Sequence, residues 1–195
     1  MKHTLLLCLA VICLPAAWAQ SSSANDAATA TVAVQRGEAR PELGSGLPQA
    51  QRIGSGRLSV WGFQVYDAQL WAQPEFRVAN IDRLPLALEL SYLRAFKAEE
   101  IAERSIKEMR RGKPVSDAQA ARWTADLLRV IPDVRTGDRV MGVHKPGVGA
   151  SFWVNGRSTG DVQDAEFARL FFGIWLSPNT SEPMLRDALL AGAAR

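Results

Sequence analysis

Residues 137–176 read GDRVMGVHKPGVGASFWVNGRSTGDVQDAEFARLFFGIWL, in which short apolar runs alternate with turn residues. The runs of strand length are 139–144, 151–154 and 157–162. Asn155-Gly156 between the last two is a strong hairpin signal, because both residue types tolerate positive φ. Asp164 can cap a helix over 165–176 that is apolar on nearly all sides, which is typical of a buried helix. The stretch therefore predicts an antiparallel meander leading into a buried helix.

Two segments before this stretch also predict strands. Residues 58–72 mix β-branched and aromatic side chains around Gly62, which predicts two strands joined by a bend, the second covered on both faces. Residues 84–93 alternate strictly, which predicts one face in the core and one face nearer water. The core face would carry Leu84, Leu86, Leu88, Leu90 and Tyr92, and the other face Pro85, Ala87, Glu89 and Ser91. The glycine-rich segment 41–57 is interpreted as an irregular lead-in.

The period then changes to that of helices. An apolar stripe runs along one predicted helix from Ala98 to Met109, beside glutamates that we interpret as a solvated face. These glutamates are Glu99, Glu100, Glu103 and Glu108. Ser116 with Gln119 forms a capping box for a second helix, and Ser181 is predicted to cap a last one that runs to Gly192. Strands and helices do not alternate regularly, so the order predicts an α+β fold with helices on one face of an antiparallel sheet.

The amino terminus has the pattern of a secretory signal peptide. Lys2 and His3 precede an apolar run over 4–14, and Ala17-Trp18-Ala19 is a small-x-small cleavage site. We therefore predict a signal peptide over 1–19, a flexible spacer over 20–40 with a short edge strand at its end (32–40), and one domain over 41–195. The protein is expected to be periplasmic or secreted after cleavage near Ala19, and no later segment is long and apolar enough to span a bilayer.

Composition excludes several classes of chemistry. Both cysteines, Cys8 and Cys13, lie in the predicted signal peptide, so the mature chain has neither a disulfide nor a thiolate nucleophile. His144 is the only histidine after that segment, and we interpret it as structural or solvent-facing. One histidine makes a histidine-rich metal site impossible and a Ser-His-Asp triad remote. Basic and acidic residues nearly balance, so the sequence does not have the excess positive charge of a nucleic-acid-binding protein. It also contains no glycine motif of the kind that binds phosphate groups. No metal or cofactor is predicted.

Five residues form the candidate ligand site: Arg57, Trp61, Tyr66, Tyr92 and Arg94. Tyr66 and Tyr92 are the only tyrosines, and each lies on a strand predicted to be buried, where a hydroxyl needs a partner. An arginine in an apolar cleft suits a carboxylate or phenolate. Trp61 is placed at the cavity. The alternative is that the tyrosines satisfy backbone groups and the arginines lie in water at strand ends.

Three stretches resemble one known family. GSGRLSVWGFQVYDAQLW, LELSYLRAFKAEEIAERSIKEM and the meander with its helix, followed by SEPMLRDALL, are similar to the chalcone isomerase-like domain of exported bacterial proteins. The resemblance runs over about 52–190. It implies an open-faced β-sandwich, in which a large antiparallel sheet packs against a layer of helices with a ligand cleft between them.

The resemblance also bears on activity. Plant chalcone isomerases close a flavanone ring with arginine, threonine, tyrosine and asparagine. The arginine position corresponds approximately to Arg57, but the other three positions correspond to Tyr66, Ile101 and Glu108, so an isomerase acting on flavonoids is not expected. Other branches bind fatty acids without catalysis, holding the carboxylate with arginine and tyrosine.

Three functions remain open. The favoured one is an exported, non-catalytic protein that binds a small amphipathic ligand such as a fatty acid, with Arg57 and Tyr66 as its anchors. The second is an isomerase, or intramolecular lyase, acting on a chalcone-like or other small substrate, with catalytic residues unknown. The third is a structural or partner-binding domain.

Overall fold

The computed structural model describes residues 40–194. The predicted signal peptide, the spacer and the edge strand over 32–40 lie outside this range, apart from Arg40. The described residues all belong to one compact unit. Within the described range, no helix is long and apolar enough to cross a membrane.

Six strands form one antiparallel sheet in sequential order, a continuous meander. They are β1 (Gln51–Val60), β2 (Phe63–Ala72), β3 (Leu86–Tyr92), β4 (Arg139–Lys145), β5 (Gly149–Val154) and β6 (Arg157–Val162). The helices are α1 (Pro41–Gly46), α2 (Ala98–Gly112), α3 (Asp117–Val130), α4 (Ala165–Leu176) and α5 (Pro183–Leu189), with a short 3-10 turn at Val78–Asn80. The predicted α+β class is confirmed.

The meander and the buried helix are both as predicted. Asn155 and Gly156 have φ values of 50° and 79°, as a two-residue hairpin with positive φ at both positions requires. The Asp164 carboxylate accepts a hydrogen bond of 2.9 Å from the Phe167 N–H and so caps α4. The apolar sequence of α4 places Phe167 and six further residues in the core.

The main core lies between the sheet and the helices α2, α3 and α4. Leu70, Phe152 and Phe167 are each fully buried there. The capping box of Ser116 and Gln119 starts α3, which places Trp123 in the same core, where its indole N–H donates to Asp164 at 2.9 Å. These contacts join the two halves of the helical layer to the same face of the sheet.

The opposite face of the sheet is more covered than its alternation predicts. Ala87 and Glu89 on β3 were expected nearer water, yet both are fully buried. Helix α1 supplies the cover, and the Glu89 carboxylate accepts hydrogen bonds of 2.8 Å from both Arg40 and Arg139. The prediction that residues 41–57 form an irregular segment is wrong, because these residues form α1 and most of β1.

Two other local expectations are corrected. On β2 the residues facing away from the helices are half-buried or exposed, so this strand is fully covered on one face only. Helix α5 has Glu182 at its N-cap, with no side-chain cap from Ser181, and ends at Leu189 rather than Gly192.

Gly54 on β1 allows α5 to pass close to the strand. A Cβ atom at this position would lie 2.3 Å from the Ala188 carbonyl oxygen, so only glycine fits there.

Candidate functional site

A cavity of about 430 Å³ lies between the helix-facing side of the sheet and helices α2 and α4. Strands β1 to β5 contribute its sheet wall, and the segment just before α5 completes it. This volume falls within the range of about 300–1,000 Å³ that is typical of small-molecule sites. The cleft implied by the family resemblance is therefore present.

Exposure distinguishes the floor of the cavity from its mouth. Leu88, Phe152 and Phe171 line it and are almost fully buried, so they form the floor. Trp61 and Phe63 also line it and are 94% and 61% exposed, so they mark the mouth. The lining is mainly aliphatic and aromatic, which suits an apolar part of a ligand.

Tyr66 and Tyr92 lie side by side on the cavity wall, with ring centroids 5.9 Å apart. The Tyr66 hydroxyl accepts a hydrogen bond of 2.9 Å from the Trp175 indole N–H, which leaves its own proton free to donate. Within the described residues, the Tyr92 hydroxyl makes no hydrogen bond. Burial raises the pKa of Tyr66 to about 12, and burial also raises the pKa of Tyr92. Both hydroxyls therefore stay protonated at neutral pH and can donate to a ligand oxygen.

Arg57 lies away from the cavity. Its register partner on β2 is Asp67, and the pair points to the side of the sheet opposite Tyr66. The Arg57 Nε and Nη2 atoms donate to the two Asp67 oxygens at 2.5 and 2.8 Å. Antiparallel pairing thus brings together residues ten positions apart and gives Arg57 an acidic partner within the fold. Arg57 and Tyr66 do not converge on one ligand group.

Arg94 and Trp61 lie at the mouth with the exposed Phe63. The Arg94 guanidinium lies 5.1 Å from the centroid of the Phe63 ring, in a cation–π arrangement. Arg94 forms no ion pair with any residue in 40–194. Four of the five candidate residues, Trp61, Tyr66, Tyr92 and Arg94, thus line one cavity.

Glu108 is a cavity residue that the sequence analysis assigned to the solvated face. Its side chain is only 7% exposed and pairs with Arg104 at 2.9 Å. Arg104 also lines the cavity. The signal for this position was present: Glu108 follows Ile101 by seven residues and Ser105 by three, which places it on the buried stripe of α2. Only Glu99, Glu100 and Glu103 are exposed as expected.

His144 is buried beside a second, smaller cavity of about 140 Å³. Its ring packs against Phe172 with centroids 5.2 Å apart, and burial lowers its pKa. The structural interpretation of His144 is consistent with this packing, whereas a solvent-facing position is not. Among residues 40–194, no group of three or more histidine, cysteine or acidic side chains is arranged to hold a metal ion.

Comparison with known proteins decides the family. The family model described as chalcone isomerase-like matches residues 52–191. The chain belongs to the chalcone isomerase-like family. The resemblance of the three sequence stretches is thereby confirmed, and the match covers nearly all of the described fold.

Two individual proteins extend this family assignment. An uncharacterized protein of Haemophilus influenzae is 29% identical over 140 residues, which cover 72% of this chain and 67% of that protein. The crystal structure of a fatty-acid binding protein of Arabidopsis thaliana matches with a TM-score of 0.55 at 13% identity, covering 73% of this chain and 87% of that one. At this identity the second match shows a shared chalcone isomerase-like fold.

Proposed function

We propose that this chalcone isomerase-like protein binds a small amphipathic molecule, such as a fatty acid, in the main cavity without catalysing a reaction. The observation that carries the proposal is the cavity of about 430 Å³, whose apolar floor is combined with two buried tyrosine hydroxyls. An apolar tail gains free energy from the floor, at about 25 cal/mol per Å² of buried apolar surface. The fatty-acid binding protein of the same fold supports this class of ligand.

The charges around the cavity favour a particular placement of an acidic head. Glu108 in the wall is already paired with Arg104 at 2.9 Å and with Arg111 at 3.6 Å, so these charges largely satisfy one another. Arg94 at the mouth has no carboxylate partner in the described part of the chain. A carboxylate is therefore best stabilised near Arg94, while the tyrosine hydroxyls donate to any neutral oxygen farther in. This arrangement replaces Arg57 as the cationic anchor.

Filling the cavity tests the proposal. Ile101 lines the cavity from α2, so Ile101→Trp is expected to abolish saturable displacement of a fluorescent fatty acid, because a bound ligand buries most of its surface and cannot share that space. Lys107→Trp adds the same side chain on the exposed face of the same helix and should bind like the wild type. Absence of saturable binding by the wild type, or equal binding by both variants, would refute the proposal.

The same cavity is not expected to turn over chalcone. Ile101 and Glu108, which stand where the family resemblance places tyrosine and asparagine, both line the cavity. Ile101 cannot donate a hydrogen bond to the enone carbonyl, and an ionised Glu108 would repel a developing oxyanion. Loss of chalcone absorbance should therefore proceed at the buffer rate. A rate that rises with protein concentration would favour the isomerase instead.

We also propose that the protein acts after export, as a periplasmic or secreted protein. The support is the pattern of residues 1–19: a charged start, an apolar run and a small-x-small site that ends at Ala19. The intact mass of the protein recovered outside the cytoplasm is expected to correspond to a chain beginning at Gln20. A mass that includes Met1 would contradict cleavage.

A further inference from the structure

The tip of the β1–β2 hairpin presents apolar side chains to water. Trp61 is 94% exposed, Phe63 61% and Val60 37%, and we call these three residues the hairpin tip. All three also line the mouth of the main cavity. Large apolar side chains grouped at one place on a surface mark an interaction site more often than single ones do.

The hairpin tip is a tight turn between two paired strands. Trp61 and Gly62 have φ values of 50° and 81°, and strand pairing continues up to Val60 and Phe63 on either side of the turn. Positive φ is uncommon for a bulky residue such as tryptophan. Trp61 therefore lies in the tight turn at the end of a paired hairpin, with its indole exposed to water.

The charges near the tip suit a phospholipid headgroup. Residues 59–64 carry no charge, so inserting them removes no ionised group from water. Arg94 lies over the Phe63 ring and has no ion-pair partner among residues 40–194. Glu100, Arg104, Glu108 and Glu182 also line the cavity, and the guanidinium that lies over a ring of the tip is that of Arg94. Tryptophan favours the membrane interface, and arginine pairs with phosphate.

We propose that the hairpin tip docks on the surface of a phospholipid bilayer and turns the cavity mouth toward the lipid. A second copy of the chain is a poorer occupant. Aromatic side chains bury about 150–250 Å² each, so the tip offers on the order of 400 Å², roughly half of the 800 Å² per partner found in stable protein interfaces. A bilayer needs no complementary surface and accepts two or three inserted side chains.

Vesicle flotation tests the docking, and it uses no other ligand. The mature protein, which begins at Gln20 after the proposed cleavage, is floated with vesicles of phosphatidylcholine and phosphatidylglycerol. The double variant Trp61→Ser/Phe63→Ser should lower the partition coefficient by about tenfold or more, because two apolar side chains no longer enter the bilayer. The matched control, Val148→Ser/Met184→Ser, removes exposed apolar side chains that do not line the cavity, and it should bind within about twofold of the wild type.

A second readout isolates Trp61 from the other tryptophans. Brominated phosphatidylcholine quenches indoles that enter the bilayer, so wild-type emission should fall more than that of Trp61→Phe. Equal quenching, or equal flotation of the tip and control variants, would overturn the proposal. It would also be overturned if the tip variant dissociated a dimer in sedimentation without vesicles, because a second copy would then cover the tip. Fatty-acid binding is measured in a separate displacement assay without vesicles. If the protein binds no fatty acid, the proposed function fails, but the flotation and quenching results still decide whether the tip docks on a bilayer.

Discussion

Replacing Phe171 with alanine is expected to lower the free energy of unfolding by about 3–5 kcal/mol. Phe171 is 6% exposed and packs against four aromatic rings, with centroid distances of 5.4–5.6 Å. These rings belong to Phe152, Phe167, Phe172 and Trp175. Alanine removes the ring contacts and leaves a void that rigid neighbours fill only partly. Urea denaturation followed by far-UV circular dichroism measures the change.

Phe63→Ala provides the matched control for this substitution. The same ring is removed, but Phe63 is 61% exposed at the hairpin tip, so the free energy of unfolding should change by no more than about 0.5 kcal/mol. A loss under about 1 kcal/mol for Phe171→Ala would mean that the aromatic cluster between α4 and the sheet rearranges freely. It would also mean that the cavity floor, which Phe171 helps to form, is not a preformed binding surface.

Replacing Glu89 with alanine is expected to destabilise the fold by a similar amount, about 3–5 kcal/mol, for an electrostatic reason. The Glu89 carboxylate is fully buried and pairs with Arg40 at 2.6 Å and with Arg139 at 2.8 Å. Removing it takes away a buried anion that two largely buried guanidinium groups share. Arg139 also pairs with Glu42 at 2.9 Å, so Glu89 belongs to a larger cluster of buried charges. Urea denaturation measures this change as well.

Asp67→Ala on the neighbouring strand is the matched control, because it removes an ion pair that is exposed to water instead of buried. Asp67 also makes a bidentate pair, with Arg57, but both side chains are more than one-third exposed. Water screens that interaction, so its removal should cost no more than about 1 kcal/mol. Similar losses for Glu89→Ala and Asp67→Ala would show that the face beneath α1 admits solvent.

Much of the fold followed from local signals in the chain. The turn pair Asn155-Gly156, the cap at Asp164 and the apolar run 165–176 predicted the meander and its helix, because each depends on residues a few positions apart. The capping box of Ser116 with Gln119 predicted the start of α3 for the same reason. Tyr66 and Tyr92 were predicted as ligand residues because each lies on a strand predicted to be buried, where a hydroxyl needs a partner.

The tertiary structure decided the features that depend on distant pairs. Strand register brings Asp67 to Arg57 and removes that arginine from the ligand site, although both residues were visible in the sequence. Long-range ion pairs allow Glu89 to be buried on a strand face that alternation assigned to water. Glu108 is different, because its partner Arg104 is only four positions away and its spacing from Ile101 and Ser105 already placed it on the buried stripe of α2. Burial of a charge depends on where its partner lies in space, which local periodicity does not encode.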